Sequence, residues 1–396
     1  MVDLTSTTKE YMRIIGLDVC KDSVVCCLLT EFPAEPRQFY YNAEFPKLYT
    51  SVSGMKTLLE MKPDVAVLEP TGVNYSKIWV TKLAEAGVEI CLVGHKQLRV
   101  YRDNLGLPDK DDQADALALA CYHLQHEQTA NRFVQVRDPI IAQMRDCVLR
   151  LHHLNRVQSP IINRIRQDLA WQFPERAKAT LDATLFWRWL AGEAKSAKYD
   201  RELEQSLGLG LHPETRQASQ SICKLQQRER SLEMEMRSYL RDVRFLAYRK
   251  VFAEFGFGER VEALILSQIY PLENYLKDGK PEVMIRKGKE SGNPTKRHLS
   301  RRRFQKALGV APTREWSGDT KKSKKAGSQL CRTALWQWVF TRIEVKRSRP
   351  KSEVGEQLSR TFETEKATKP IKLARSRTCA KAVDLLFYKL VQALAL

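Results

Sequence analysis

Three features are missing from this sequence of 396 residues, and each absence argues against a class of protein. No two cysteines form a CxxC pair, and most of the 9 cysteines sit in apolar runs, which argues against a structural zinc site and a disulfide framework. No apolar run approaches the roughly 20 residues that cross a membrane. The first residues, MVDLTSTTKE, lack the apolar core of a signal peptide. We therefore expect a reduced, cytoplasmic protein without a membrane partner.

Acidic residues are scarce where basic residues are dense. The formal net charge is +19. Residues 1–120 nevertheless hold 13 Lys and Arg against 17 Asp and Glu, whereas residues 281–350 hold 19 Lys and Arg against 5 Asp and Glu. A strongly basic region indicates a polyanionic partner. This distribution is expected if the front of the chain holds metal ions and the back holds a phosphate backbone.

The front of the chain alternates between strand and helix patterns. An apolar hairpin runs from Arg13 to Glu31, and period-two alternation predicts a third strand over Arg37–Glu44. The later patterns predict, in order, a helix over Tyr49–Met61, a strand over Asp64–Glu69, a helix over Asn74–Glu85, a strand over Val88–Val93, a helix from His95 and a helix over Asp111–His126. The order βββαβαβα, with three antiparallel strands first, is that of the RNase H fold.

Four acidic residues stand where an RNase H fold carries its acids. Asp18 lies near the end of the first strand and Glu69 ends the fourth. Asp112 and Asp115 are three residues apart and so share one helix face. Converging carboxylates repel one another, and hard divalent cations such as Mg²⁺ remove that repulsion and support phosphodiester cleavage. The alternative is that Asp18 faces a turn and that acids at a helix start only favour the helix dipole, which leaves Glu69 unexplained.

Long helices are predicted in the middle of the chain, over 138–172 and 214–252, the second with a heptad-like apolar stripe. They indicate an antiparallel hairpin, a coiled coil or an ordinary bundle. A basic insert over Lys277–Arg303 is predicted to be a mobile loop that orders on nucleic acid. An amphipathic helix is predicted near Ala380–Leu396. Four aromatic residues are predicted to pack in a core rather than to stack on bases: Trp171, Phe186, Trp187 and Trp189.

Three motifs in the front of the chain resemble one protein family. They read GLDVCK around Asp18, LEPTG around Glu69, and KDDQADALALA around Asp112 and Asp115. Their order and spacing resemble those of the DEDD transposases of the insertion-sequence-110 class, whose front domain is RuvC-like. The third motif of that family usually reads KTDxxDA, and this sequence has Asp111 in the place of the threonine.

The basic back of the chain carries a second set of motifs. GVAP at 309–312, EWSG at 315–318, KAG at 325–327 and RTAL at 332–335 resemble the family's transposase domain around its nucleophile. The resemblance implies that Ser317 forms a phosphoserine link to DNA. Taken alone, Ser317 and the next glycine are only a turn dipeptide, and no nearby histidine could activate the hydroxyl. The cations expected to contact nucleic acid are Arg301, Arg302, Arg303, Lys321, Lys322, Lys324, Lys325 and Arg332.

The resemblance implies a Mg²⁺-dependent transposase that cleaves and rejoins double-stranded donor and target DNA. It also implies guidance by a bridge RNA, a dimeric or tetrameric assembly, and a place in the bacterial cytoplasm near the nucleoid. The expected organisation is a RuvC-like domain over 1–130, a long-helix region over 131–250 and a mostly helical, basic transposase domain over 251–396. Three alternatives stay open: a RuvC-like junction nuclease that uses metal-activated water, an actin-like ATPase, for which no second phosphate hairpin is found, and a non-catalytic RNA-binding module.

Overall fold

The computed structural model describes residues 12–70, 75–107, 109–129, 132–134, 137–287, 292–317 and 320–394, except for the side chains of residues 312–317 and 320–325. The chain divides into two compact units, Met1–Arg137 and Asp138–Leu396, called unit 1 and unit 2. No described helix combines the length and the apolar character that a membrane-spanning segment needs.

Unit 1 is built on one five-stranded sheet. Its elements are β1 (Ile14–Val19), β2 (Ser23–Leu29), α1 (Pro36–Asn42), β3 (Lys47–Tyr49), α2 (Val52–Glu60), β4 (Val65–Leu68), α3 (Tyr75–Glu85), β5 (Glu89–Leu92), α4 (His95–Asn104) and α5 (Asp112–His126). The strand order is β3-β2-β1-β4-β5, with the first three strands antiparallel and β4 and β5 parallel to β1. This order confirms the predicted RNase H arrangement.

The two faces of the sheet have separate cores. Successive residues of a strand point to opposite faces, so β1 serves both cores. Ile15, Leu17 and Val19 pack with residues of α2 and α3. Ile14 packs with the buried residues of α5 on the other face. Asp18 follows the alternation of Ile14 and therefore lies on the α5 face.

The third strand is not where its sequence pattern predicted it. Arg37–Glu44 was expected to be a strand, but Pro36–Asn42 forms α1 and the strand is Lys47–Tyr49. Pro36 favours the first turn of a helix because its φ is fixed and it has no N–H to satisfy. Phe39 then meets Phe45 edge to face, with ring centroids 6.5 Å apart. A short aromatic run is compatible with both a helix and a strand, and here the proline favours the helix.

Unit 2 is mostly helical. Its elements are α6 (Pro139–Gln172), α7 (Thr184–Leu190), α8 (Ala197–Glu204), α9 (Pro213–Leu240), α10 (Leu246–Glu254), α11 (Glu259–Ile269), β6 (Val283–Lys287), β7 (Pro294–His298), α12 (Leu299–Ala307), β8 (Pro312–Ser317), β9 (Thr320–Lys325), α13 (Gln329–Trp338), α14 (Glu353–Thr368) and α15 (Ile371–Ala393). A π-helical turn over Val339–Glu344 follows α13. The four short strands form two separate antiparallel hairpins.

Helices α6 and α9 form an antiparallel hairpin, one of the arrangements that the sequence left open. The Gln158 amide donates to Glu229 at 3.1 Å, and the Gln172 side chain accepts from the His212 nitrogen at 2.9 Å, so the two helices run in opposite directions. The predicted end of α9 near Phe252 is wrong, because the helix stops at Leu240 and Asp242 caps a new turn. Val243 and Leu246, which were predicted to extend the apolar stripe, are 80% and 54% exposed.

Two further predictions for unit 2 need correction. The insert over Lys277–Arg303 is not a loop, since it holds β6, β7 and the start of α12. The last helix begins at Ile371, directly after Pro370, rather than near Ala380, and α14 precedes it. The prediction that Phe186, Trp187 and Trp189 are core residues is confirmed, but Trp171 is 49% exposed.

One large core joins the long helices to the C-terminal helices of unit 2. It contains Leu151 of α6, Phe252 of α10 and Leu386 of α15. A second cluster lies at the other end of the α6–α9 hairpin, around Leu169, Trp187 and Ile222. The predicted boundary between residues 250 and 251 stays a prediction, and the large core contains residues from both sides of it.

Candidate metal centre

Helix α5 lies close to β1 because the contact is made by small residues. A Cβ added at Gly16 would lie 2.0 Å from the carbonyl oxygen of Ala116 and 2.8 Å from the nitrogen of Ala120, so the sequence has glycine there. Ala116 and Ala120 are fully buried. This approach brings the first turn of α5 to the carboxyl end of β1, where Asp18 is located.

Asp18 and Glu69 reach the same edge of the sheet by strand register. Strands β1 and β4 are parallel, and Leu17 pairs with Leu68, so the next residue of each strand is an acid. Ligands of open α/β sheets commonly bind outside the carboxyl ends of parallel strands. The structure therefore brings together all four acids that the sequence singled out, two from strands and two from α5.

The pKa of Asp18 reflects the proximity of the other three acids. Burial raises it most, and the charges of Asp112, Asp115 and Glu69 raise it further, to about 7. A hydrogen bond from the protonated carboxyl of Asp18 to Asp112 acts in the same direction. Hard divalent cations prefer such oxygen ligands and relieve their repulsion. The residues present thus fit a divalent metal ion.

Cys20 also borders the acids, which sequence reasoning missed. Its Sγ donates to Asp112 Oδ2 at 3.4 Å, and the ligand atoms of Asp18, Cys20 and Asp112 lie within 4.8 Å of one another. Burial and the neighbouring Asp112 raise the pKa of the thiol to about 11, so it is protonated at neutral pH and acts as a donor. The signal was its position two residues after Asp18, on the same face of the chain.

Two side chains of α4, those of Arg102 and His95, hold two of the acids, and the sequence analysis did not find them. Arg102 is buried, and its Nη1 lies 2.5 Å from Asp115 Oδ1. His95 Nδ1 lies 2.6 Å from Glu69 Oε2. The residues are seven apart, so they lie on one side of the helix. Only His95 had a sequence signal, because it directly follows β5 at the edge that carries the acids.

Asp111, which replaces the family's threonine, is the N-cap of α5. Its side chain accepts from the nitrogen of Ala114 at 2.7 Å and from the hydroxyl of Tyr40. Aspartate and threonine are both favoured at this position. The replacement therefore keeps the helix start that places Asp112 and Asp115.

Ser317 is the last residue of β8 and pairs with Thr320 across the β8–β9 hairpin. Its side chain lies outside the described residues, as do those of Lys321, Lys322, Lys324 and Lys325. The base of the hairpin is tightly packed: a Cβ added at Gly327 would lie 1.6 Å from the carbonyl oxygen of Lys306, and the φ of this glycine is +83°. Gly309 of the GVAP motif and Gly327 of the KAG motif therefore lie where a side chain would not fit.

Of the other side chains predicted to contact nucleic acid, three have a partner among the described residues of the protein. Arg303 donates to Glu282 at 2.7 Å, and Arg332 donates to the carbonyl oxygen of Gly309 at 3.1 Å. Arg301 lies 3.7 Å from Asp384. Arg302 is exposed and has no hydrogen bond or ion pair with any described residue. Arg302 is thus the side chain of this group that is most open to a phosphate.

Two family models match parts of this chain. Residues 15–174 match the IS110-type DEDD family model described as "Transposase", and residues 289–354 match the model described as "Transposase IS116/IS110/IS902 family". A search of curated proteins finds no significant match. Among solved structures, "T. thermophilus RuvC in complex with Holliday junction substrate" is 16% identical over 31% of this chain and 99% of that chain, with a TM-score of 0.22.

The two family matches together cover more than half of the chain. The first contains Asp18, Glu69, Asp112 and Asp115, and the second contains Ser317. The strand order and the cluster of acids are those expected for the front domain of such enzymes. The chain therefore belongs to the IS110 family of DEDD transposases, which are enzymes that act on DNA.

Proposed function

We propose that the protein cleaves and rejoins DNA with two Mg²⁺ ions held by Asp18, Glu69, Asp112 and Asp115, and with Ser317 as the nucleophile. The observation that carries the metal site is the convergence of four carboxylates from the ends of β1 and β4 and from the first turn of α5, which also raises the pKa of Asp18. Bound divalent cations would stabilise such a cluster in its ionised form. When bound, these ions would polarise the scissile phosphate and stabilise the leaving oxygen.

The residues of the chain orient the ligands and supply the nucleophile. Arg102 fixes the carboxylate of Asp115, and His95 fixes that of Glu69. Partners of this kind commonly set the orientation of metal ligands. Both contacts come from one side of α4, so one rigid helix holds two of the four acids.

The covalent step transfers one phosphodiester bond. The Ser317 Oγ forms a bond to phosphorus, and the bond between phosphorus and one deoxyribose oxygen breaks. The leaving oxygen takes up a proton, and the serine hydroxyl gives one up, so the step is balanced without an oxidant or a co-reactant. Attack by the hydroxyl of a second DNA end reverses the step, joins the two DNA ends and restores Ser317.

Cations in unit 2 neutralise the phosphates near the site of attack. We assign this role to Lys321, Lys322, Lys324 and Lys325, which flank Ser317 on the hairpin, and to Arg302 of α12. The excess of Lys and Arg over residues 281–350 supports this assignment. Because Arg301, Arg303 and Arg332 have intramolecular partners, we expect smaller effects on binding from their substitution.

Bridge-RNA guidance and a dimeric or tetrameric assembly are part of the proposal through the family resemblance. The acids and Ser317 belong to different units, so the reaction requires that they meet on one phosphate, within one chain or between two copies. RNA that copurifies with the protein should be sequenced and compared with the DNA that flanks the gene. Guidance by a bridge RNA predicts that the two sequences match.

The experiment that tests the covalent step is capture of a protein–DNA adduct. Full-length protein is incubated with cognate DNA and Mg²⁺, denatured, and analysed by mass spectrometry. We expect a DNA-linked peptide that contains residue 317. The adduct should be absent in Ser317→Ala and present in Ser323→Ala, a matched substitution on the same hairpin.

The second candidate is a nuclease that cleaves with metal-activated water. It is favoured by the fact that unit 1 alone assembles the whole acidic cluster. Cleavage without an adduct, at an equal rate in the wild type and in Ser317→Ala, would establish this candidate. It would replace the proposed serine chemistry and leave the metal centre intact.

A further inference from the structure

The β6–β7 hairpin is a two-stranded ribbon that is largely exposed in the part of the chain that the structure describes. Nine of its ten residues are exposed, and only His298 is half-buried. Three of the exposed residues are aliphatic: Val283 is 44% exposed, Met284 40% and Ile285 66%. Isolated two-stranded hairpins are only marginally stable in water, and exposed aliphatic side chains add no burial energy to this one.

Both faces of the ribbon combine apolar and cationic side chains. Ile285 pairs with Lys296 and Met284 pairs with Arg297, and neighbouring pairs point to opposite faces. Arg286 and Lys287 add two further cations, and no acidic residue occurs in β6 or β7. A surface of this composition matches a partner that is negatively charged and has an apolar interior.

The ribbon starts from a fixed base. The nitrogen of Glu282 donates to Ser300 Oγ at 2.8 Å, and the nitrogen of Leu299 donates to the carbonyl oxygen of Glu282 at 2.9 Å. Arg303 binds the carboxylate of Glu282 at 2.7 Å. The first turn of α12 therefore holds the two ends of the ribbon, while its strands stay open to a partner.

We propose that the β6–β7 ribbon inserts into a groove of duplex DNA. The inference rests on the action of the protein on DNA. The major groove of B-form DNA admits a two-stranded β-ribbon and presents apolar thymine methyl groups between two rows of phosphates. Ile285 contacts apolar atoms of the groove from one face of the ribbon and Met284 from the other, and Lys296 and Arg297 contact the phosphates on its sides. Duplex RNA fits poorly, because its major groove is too deep and narrow for protein side chains.

Insertion differs from simple phosphate contact in what the apolar residues do. Cations that bind phosphates release counterions, so each contact adds about 0.9 to the slope of log affinity against log salt. Contacts of Met284 and Ile285 with the groove add affinity that does not depend on salt. Substitutions of the two kinds therefore have separable effects.

The test is a fluorescence-anisotropy titration of the full-length protein with a labelled DNA duplex at several salt concentrations. Ile285→Thr with Met284→Gln keeps a β-branched residue and a side chain of similar length, so the ribbon is retained. We expect this variant to lose about tenfold in affinity at an unchanged salt slope. Lys296→Gln with Arg297→Gln should lower the slope by about 2.

Matched controls come from exposed residues outside the ribbon. Val243→Thr replaces an aliphatic residue that is 80% exposed, and Arg241→Gln with Lys250→Gln removes two exposed cations. These controls should bind like the wild type, and a duplex RNA of the same length should show no difference between the wild type and Ile285→Thr with Met284→Gln.

The outcomes separate this inference from the proposed function. If the wild type binds duplex DNA and both ribbon variants bind equally well, insertion is refuted and the transposase chemistry is unaffected. An effect of the cation variant alone overturns insertion in favour of outer phosphate contact. Loss of affinity for RNA rather than DNA assigns the ribbon to the RNA partner instead. Absence of any duplex binding by the wild type contradicts the proposed function itself.

Discussion

The two units place opposite charges on different kinds of scaffold. In unit 1, four acids are fixed by a sheet, by a helix packed directly on it, and by Arg102 and His95 of a second helix. In unit 2, Ser317 and 9 of the 19 Lys and Arg of residues 281–350 lie on two-stranded hairpins. Metal ligands must be held within fractions of an ångström, whereas a phosphate backbone is bound by side chains that can adjust. The difference is what the proposed function requires, with rigid metal ligands in unit 1 and adjustable phosphate contacts in unit 2.

The comparison predicts the largest effect for an acid of unit 1. Asp18→Asn removes the charge at the centre of the cluster and should lower the rate of DNA strand cleavage by about 10²-fold or more, the scale of losing one preorganised electrostatic group. Asp22→Asn, in the exposed turn after β1, is the matched control and should retain activity. Single-turnover cleavage measures both. Equal rates for the two variants would remove Asp18 from the site.

A glycine substitution in unit 1 should disturb the site without changing an acidic residue. A Cβ at residue 16 would lie 2.0 Å from the Ala116 carbonyl oxygen, so Gly16→Ala must push α5 away from β1. Overpacking of this kind costs about 3 kcal/mol of unfolding free energy. Gly258→Ala is the control, because a Cβ there meets nothing within 4 Å. Urea denaturation of both variants tests the expectation, which an unchanged stability of Gly16→Ala would contradict.

The buried cation of α4 should matter more than its exposed neighbour. Arg102→Gln leaves the carboxylate of Asp115 without its partner and should cost about 3 kcal/mol of stability, as for other broken buried pairs. It should also weaken Mg²⁺ binding about tenfold. Arg99→Gln, on the exposed part of the same helix, should do neither. Arg102→Lys should restore part of both properties. Calorimetric Mg²⁺ titration and thermal denaturation measure the two effects.

The smallest effect is a pH dependence of the metal-free protein. The pKa of Asp18 is raised from 3.8 to about 7 in the folded state, so folding favours its protonated form. Stability without metal should therefore fall as the pH rises from about 4 to about 7, by a few degrees in Tm. Asp18→Asn should show a weaker fall over this range. Melting curves recorded at several pH values in the presence of a metal chelator measure both profiles. Identical pH profiles for the two proteins would refute the coupling of the four acids.

Much of unit 1 follows from its sequence. The strand order and the positions of the four acids are predictable because apolar strands and a capped helix have clear periods. The third strand was misplaced because Phe39 and its aromatic neighbours fit both a helix and a strand. Arg102 was missed because its role depends on a tertiary contact with Asp115 of α5, and no local pattern encodes that contact.

Unit 2 was predictable in its longest helices and less so elsewhere. The two apolar stripes predict the long helices α6 and α9 but leave their pairing open. The end of α9 depends on the cap at Asp242, which a continuous stripe conceals. The sequence predicts a loop in place of the β6–β7 hairpin because its Lys, Arg and Pro are typical of linkers. Strand pairing there is set by the backbone and by the anchored base rather than by burial.

The most direct test of the central claim is a titration of the full-length protein with Mn²⁺ in place of Mg²⁺, followed by electron paramagnetic resonance. The account predicts two ions per chain, coupled to each other as expected for ions about 4 Å apart. Asp18→Asn and Asp112→Asn should each abolish the coupled signal. Uncoupled ions, or binding that neither substitution changes, would contradict the account.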